Sequence, residues 1–256
     1  LMYPSWLCQQ YEPVACAPQR HNKVVVDKRP NTNEGKSRQR YEFSPEVKFL
    51  TNTCTGLNPG VTEVRSLFLT DQYAADFYDL ASSREHIYDW FLHGIGNLEL
   101  AEKPLYRPSS DFAVDYPWIE HERRWDTDSA VRADFLQRDG GVIRGIGRWT
   151  DVWLNGFAGV RMTLLGEPGT IVYGGDDPFS APEVDWGRQR SEAQNSIAAF
   201  CARRVAKNTA FAALHEPYAK SPRLSVRRFA REPNAEAMCV TGPEFVDVIC
   251  TALDDG

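Results

Sequence analysis

The sequence predicts an all-β protein, a large antiparallel two-sheet β-sandwich with long irregular loops. Three observations predict it. Short segments rich in Val, Phe and Tyr recur along most of the 256 residues. Several of them mix polar and apolar residues in the alternation of a strand with one wet face. Turn residues separate them, and in the second half they repeat at spacings of roughly ten to fifteen residues, as in sandwiches.

Taken in order, KVVVD (23–27), EVKFLTNT (46–53), VTEVRSLFLT (61–70), QYAADFYDL (72–80) and HIYDWFLH (86–93) read as strands of a meander. The polar stretch KRPNTNEGKSRQR (28–40), with Pro, Asn and Gly, reads as an exposed loop after the first strand. VRADFLQRD, GVIRGIGRW, GVRMTLLG, TIVYGG, TAFAALHEPY, RLSVRRFA, AEAMCVTG and EFVDVICTAL continue the β pattern. SEAQNSIAAFCARRVA suits a helix by its Ala and Arg content. A helix there would leave the next stretch without a strand partner, so strand is the preferred reading. Segments 102–129 and 174–190 lack a clear period and read as long excursions over the sheet. Their aromatics, among them Trp118 and Trp125, either stack on sugar faces or cap the sandwich core.

Composition removes whole classes of function. The net charge of −6 comes from interleaved acids and bases, which argues against a broad nucleic-acid footprint. Mean hydropathy is −0.45 and no run of eighteen apolar residues occurs, so no membrane span is expected. The chain starts at Leu1 with no basic-then-apolar leader in view. A phosphate-cradling GxGxxG and a GxSxG nucleophile elbow are both missing. The six cysteines follow no CxxC spacing and read as scattered thiols. Two pairs nevertheless invite a disulfide: Cys239 with Cys250 across a turn-like TGPE, and Cys8 with Cys16 across a short loop.

The order of the motifs carries a resemblance. HNKVVVD with a polar loop, then VRSLFLTDQYAADFYDL, then HIYDWFLHGIG, and later AFCARRVAKNTAFAALHEPY, resembles the C-terminal β-sandwich of the heparinase II/III-like polysaccharide lyases. That group includes alginate and heparan sulfate lyases. HIYDWFLHG is the most specific piece and HNKVVVD the next. The likeness spans most of the chain from about residue 3 onward, which makes residues 1–256 one sandwich domain, and it implies β-elimination at a uronic acid. It further implies an acidic polysaccharide substrate, a secreted or periplasmic location, and an N-terminal α/α toroid or companion chain outside this sequence. A non-catalytic carbohydrate-binding or interaction module on the same sheets is the competing reading.

Site residues follow from the resemblance position by position. A zinc ion in such sandwiches is held partly by the histidine of the HN strand, which corresponds to His21. A lone histidine cannot close a tetrahedral site, so the remaining ligands are expected outside this chain. Tyrosine can act as base or acid in the elimination, and with an unperturbed pKa near 10 the base role requires cationic or metal neighbours that stabilise the phenolate. Tyr3 and Tyr11 are the candidates upstream of HN, and Tyr3 is preferred as the catalytic one. Asn22, His93, Trp118 and Trp125 are the candidate substrate-binding residues. Asn22 has an Asx-turn as its structural alternative, and His93 a role capping a turn at Gly94. On a strand Trp90 would point to the core with His86, Tyr88 and Leu92 on its face, opposite Ile87, Asp89, Phe91 and His93. Arg65 and Asp76, on neighbouring strands, are placed to pair.

Overall fold

The computed structural model describes residues 21–32, 35–95, 97–100, 107–108, 111–117, 119–137, 142–143, 152–153, 158–178, 196–232 and 235–252. In chain order the strands are β1 (Val24–Val26), β2 (Lys36–Phe43), β3 (Lys48–Asn58), β4 (Val61–Leu69), β5 (Ala74–Ile95), β6 (Asn97–Leu100), β7 (Arg107–Pro108), β8 (Glu120–Thr127) and β9 (Val131–Gln137). They continue as β10 (Val142–Ile143), β11 (Val152–Trp153), β12 (Ala158–Leu164), β13 (Thr170–Pro178), β14 (Ser196–Tyr218), β15 (Ser225–Glu232), β16 (Ala235–Thr241) and β17 (Val246–Ala252). One short helix, α1 (Asp111–Asp115), precedes β8. The all-β expectation holds: among the described residues there is a 12-stranded sheet, a three-stranded sheet and a two-stranded ribbon.

Two strands organise the large sheet. QYAADFYDL and HIYDWFLH are expected as separate strands, yet both belong to β5, of 22 residues. SIAAFCARRVA and TAFAALHEPY likewise join in β14, of 23 residues. The two run antiparallel along nearly their whole length, from Ile95↔Ile197 to Ala74↔His215. Midway the ladder slips: Ala206 faces His86, while Asn208 faces Ala81. Ser82–Glu85 therefore loop out opposite Lys207. Asn208 Oδ1 accepts a hydrogen bond from Ser82 N at 3.1 Å, which holds the irregularity in place.

At that irregularity the sheet folds back on itself. Trp90 pairs with Ala202, and Phe211 lies nine residues farther along β14, a separation of roughly 30 Å in a flat strand. The two rings instead stack with centroids 6.0 Å apart and an interplanar angle of 11°. Two halves of one sheet thus face each other, with strands passing from one layer to the other at a corner, as in orthogonal sandwiches. The near half carries β2, β3, β4, the first part of β5, the last part of β14, β12, β9 and β6. The far half carries β1, the last part of β5, the first part of β14, β13, β8 and β7. Between them lies the main core, including Val24, Tyr88, Trp90, Phe200, Phe135 and Met162.

Each half buries part of its outer face as well. The three-stranded sheet β15–β16–β17 covers the near half through Phe77, Leu214, Met238, Val240 and Ile249. The segment around α1 covers the far half through Phe112, Tyr116, Phe91 and Tyr173. This is why HIYDWF is apolar on both faces.

Three loop expectations are corrected. Lys36–Arg40 of the expected 28–40 loop lie in β2, exposed on both faces as a loop would be. Segment 102–129 contains α1 and β8, whose partner β13 lies too far along the chain to be read locally. Gly174–Pro178 extend β13; the rest of 174–190 falls outside the described residues. TGPE does turn a hairpin between β16 and β17, but Cys239 faces Val248 and Cys250 faces Ala237. That diagonal offset, about 7–8 Å between such neighbours, exceeds disulfide reach, and Cys54, Cys201, Cys239 and Cys250 are free thiols. Cys8 and Cys16 lie outside the described residues.

The joint between the near half and the small sheet is ionic at one end. Arg204, buried, donates to Ala210 O at 2.6 Å and Thr170 Oγ1 at 2.9 Å, and lies over the Phe211 ring. Glu167 joins Arg204 and Arg231, and Glu236 takes Arg228 Nε at 2.7 Å. Asp79 sits beside this group, where burial and then the Glu236 carboxylate push its pKa up to about 7 against the opposing pull of Arg231. Its folded-state pKa thus exceeds the unfolded value near 4. The native state holds that proton more tightly, so stability declines as pH rises from about 4 through 7. Denaturant titrations across that range should show the decline, and Asp79→Asn should flatten it; an unchanged profile would remove Asp79 as its source.

Candidate functional site

HNKVVVD docks on β5 through its ends. Val24, Val25 and Val26 are 0%, 1% and 3% exposed and pair with Trp90, Asp89 and Tyr88. Beyond the strand, Phe91 N donates to Lys23 O at 2.8 Å. The next donor, His93 N, is taken by the Asn22 side chain through Oδ1 at 2.7 Å, so the amide prolongs the ladder where the backbone bends away. At the other end Asp27 adopts φ 51°, in the left-handed region that Asp tolerates. Its carboxylate accepts Ile87 N at 3.0 Å and meets His86 Nδ1 at 2.8 Å. Burial raises the Asp27 pKa, but the Ile87 and His86 hydrogen bonds outweigh it and leave the group below its ordinary value.

The start of this motif meets a polar stretch of the otherwise apolar inner face. Arg65 Nη1 donates to Asn22 O at 2.6 Å, and its Nε and Nη2 grip Asp76 at 3.0 and 2.7 Å. The expected Arg65–Asp76 pair is therefore present, bidentate, and tied to the HN segment. Glu63, 2% exposed, accepts the Tyr78 hydroxyl at 2.7 Å and an amide hydrogen of Asn58. Burial lowers the Lys23 pKa although Glu63 and Cys54 oppose it. Burial and then Lys23 lower that of His21, so its imidazole is neutral at pH 7, the form that binds metals. Burial lowers His215 in the same way, with Asp76 opposing and Arg65 reinforcing. Tyr78 is held far above its usual pKa by burial and Glu63, and Tyr88 is pushed up to about 12 by burial, Asp27 and Glu63. Both are phenols that donate protons in hydrogen bonds.

On the outer face of β5 the HIYDWFLHG signature is a clamp. Asp89, fully buried, binds Arg203 through two bonds of 2.6 and 2.9 Å and accepts the Tyr116 hydroxyl. Arg203 also reaches Asp115 at 3.0 Å, and Lys28 closes on Asp115 at 2.7 Å. The guanidinium lies over Tyr173 at 5.2 Å. This network fastens α1 to the far half. Burial alone would lower the Arg203 pKa, but the Asp89 bonds raise it above its ordinary range. Sequence spacing pointed to none of these partners; the available signal was two adjacent arginines in an apolar strand, since a buried arginine must be paired.

The candidate residues separate as follows. His21 and Asn22 sit together at the edge of β1, and Asn22 holds the backbone of His93. The His93 ring, 8% exposed, stacks on Phe91 at 5.9 Å. It caps no turn at Gly94, because β5 continues to Ile95 and Gly94 packs directly against the Phe135 ring. Trp125 lies on β8, four strand spacings from β1 through β5, β14 and β13, roughly 19 Å away. Its ring leans on Phe200 at 6.4 Å and lines a cleft of about 190 Å³ with Leu100, Asp126 and Thr127. Tyr3, Tyr11 and Trp118 lie outside the described residues. No helix among the described residues is long and apolar enough to cross a membrane.

No family model matches the sequence, and no curated protein matches it. Solved structures share its fold. Heparan sulfate lyase HepC from Pedobacter heparinus is similar over 100% of this chain and 34% of its own, with a TM-score of 0.63 at 12% identity. A heparinase III structure is similar over 93% of this chain and 30% of its own, at TM-score 0.57 and 7% identity. A heparinase III gene product covers 99% and 33%, at 0.57 and 11%. The chain thus spans about a third of the length of these structures, and what it shares with them is the fold of a heparinase-like β-domain.

The Asp89 clamp is testable. Asp89→Asn leaves Arg203 buried with half its charge compensation and should cost about 3–5 kcal/mol, read as a lower denaturation midpoint. The double variant Asp89→Asn, Arg203→Met should recover part of that loss; additive losses would show that the two residues act independently.

Proposed function

We propose that this chain is the β-sandwich part of a polysaccharide lyase that cleaves an acidic, uronate-containing polysaccharide by β-elimination. The observation that carries the reading is the match of the whole chain to a third of a heparan sulfate lyase. The polar rim at His21, Asn22, Lys23 and Arg65 supports it, as the place where an imidazole and two basic side chains, balanced by Glu63 and Asp76, gather beside β1.

The reaction removes the proton at C5 of the uronate, stabilises the enolate-like charge on its carboxylate, and protonates the departing O4. Tyr78 and Tyr88 are poor bases, being held as phenols. The base role stays with Tyr3, upstream of the rim, or with a residue of the companion toroid. Asn22, His93, Trp118 and Trp125 remain proposed substrate contacts, with Asn22 and His93 acting through the shape of the rim. A zinc ion is part of the same proposal, with His21 as one donor. No group of three or more His, Cys, Asp and Glu stands together among the described residues, so the other ligands would come from outside them. A secreted or periplasmic location goes with a polymeric extracellular substrate.

Incubating the natural polypeptide that carries this chain with heparan sulfate, alginate and glucuronan should produce unsaturated uronate, read by its ultraviolet absorbance. Binding without that product would favour a non-catalytic carbohydrate-binding module and overturn the lyase reading. Elemental analysis of the purified protein should find zinc in the wild type and a reduced content in His21→Ala; equal metal content would remove His21 as a ligand.

A further inference from the structure

Edge strand β2 carries an unusual load. All eight of its residues are exposed. Tyr41 and Phe43 are 67% and 66% exposed, and their rings stack at 5.6 Å with an interplanar angle of 27°. Lys36, Arg38, Arg40 and the acidic Glu42 project from the other face of the strand, with Glu42 between the two rings in sequence. Charged residues on an edge strand discourage sheet-to-sheet aggregation, and that accounts for the lysine and arginines alone. It does not account for two large rings held in water next to each other, on a strand where apolar area is usually buried.

The register shows where those rings point. Cross-strand partners share a face, and the row Gln39, Asn52, Arg65, Tyr78 runs from β2 through β3 and β4 to β5. The next row runs Tyr41, Leu50, Leu67, Asp76. The ring pair therefore lies on the same face as Arg65 and Asp76, which hold the HN segment. Phe43 also has the exposed Lys48 directly opposite.

We propose that β2 is an outlying binding surface for a linear acidic polysaccharide, with Tyr41 and Phe43 stacking on sugar rings and Lys36, Arg38, Arg40 and Lys48 taking its anionic groups. Charge complementarity selects this occupant: Lys36, Arg38 and Arg40 on one face of β2 and Lys48 on the other stand against one acid of the strand, Glu42, on a chain whose net charge is −6. The polymer would run along the edge of β2 that no other described strand pairs with, where side chains of both faces reach it, with the rings and Lys48 on the face shared with Arg65 and Asp76. The inference rests on the lyase reading and adds to it a place that holds substrate away from the reacting sugar.

The test is calorimetric titration of the protein with heparan sulfate and with alginate, at low and high salt. Tyr41→Ala with Phe43→Ala should weaken binding of the preferred polymer about tenfold. Lys36→Gln with Arg38→Gln and Arg40→Gln should remove most of the salt dependence of binding. All five side chains are exposed, so unchanged thermal midpoints will confirm that the variants fold. Wild-type affinity in both variants overturns the proposal, as does failure of the wild type to bind either polymer. If the ring variant keeps polysaccharide affinity but loses association with the companion domain or a second copy, the surface is a protein interface and the proposal falls. Product formation is read separately: unsaturated uronate with unaffected variants sinks this surface and spares the lyase reading, whereas binding without product does the reverse.

Discussion

The long antiparallel ladder between β5 and β14 is the constraint from which the rest of the structure follows. Each strand contributes to both layers of the sandwich, and the slip opposite Lys207 is where the ladder turns from one layer to the other. Once it turns, the inner faces of the halves must meet, and Trp90 finds Phe211 and Phe200. The remaining strands add outward from this spine on either side. β1 docks on the part of β5 left free beyond the end of β4, which fixes the place of the HN segment.

A ladder buried on both faces creates a second requirement. Charged residues on the buried parts of β5 and β14 have no water to face, so each must find a partner of opposite charge or a backbone acceptor. Arg203 and Asp89 answer this on the outer face of the far half, and Arg204 with Glu167 and the Ala210 carbonyl answers it at the corner. Arg65 and Asp76 answer it on the inner face. That last pair bears on the proposed site, because the third donor of Arg65 reaches the Asn22 carbonyl and holds the start of the HN segment.

The rim and β2 place polar groups of both signs along one side of the sandwich, Lys23, Arg65 and Lys48 with Glu63 and Asp76. One end holds the His21 imidazole beside Lys23 and Arg65; the other holds the exposed rings beside Lys48. The fold is that of a heparinase-like β-domain, and the proposed occupant of this side, a polymer of acidic sugars, is in keeping with the exposed rings and cations of β2. The two lines of support are independent, since the fold match concerns the backbone and the surface reading concerns side chains.

Much of the fold was legible in the residues themselves. Alternation and β-branched content located most of the strands, and HNKVVVD marked a short strand with a polar group at each end. These are local properties, set by where a side chain points along an extended backbone. Tertiary structure alone decided that two pairs of strands are continuous, that both faces of HIYDWF are buried, and that 102–129 holds a helix and a sheet strand. It also decided that Asn22 serves the ladder and that Asp89 serves Arg203, 114 residues away. A partner at that separation is chosen by how the chain folds back. The sequence around either residue shows that a charge needs compensation, and only the packed layers determine which group supplies it.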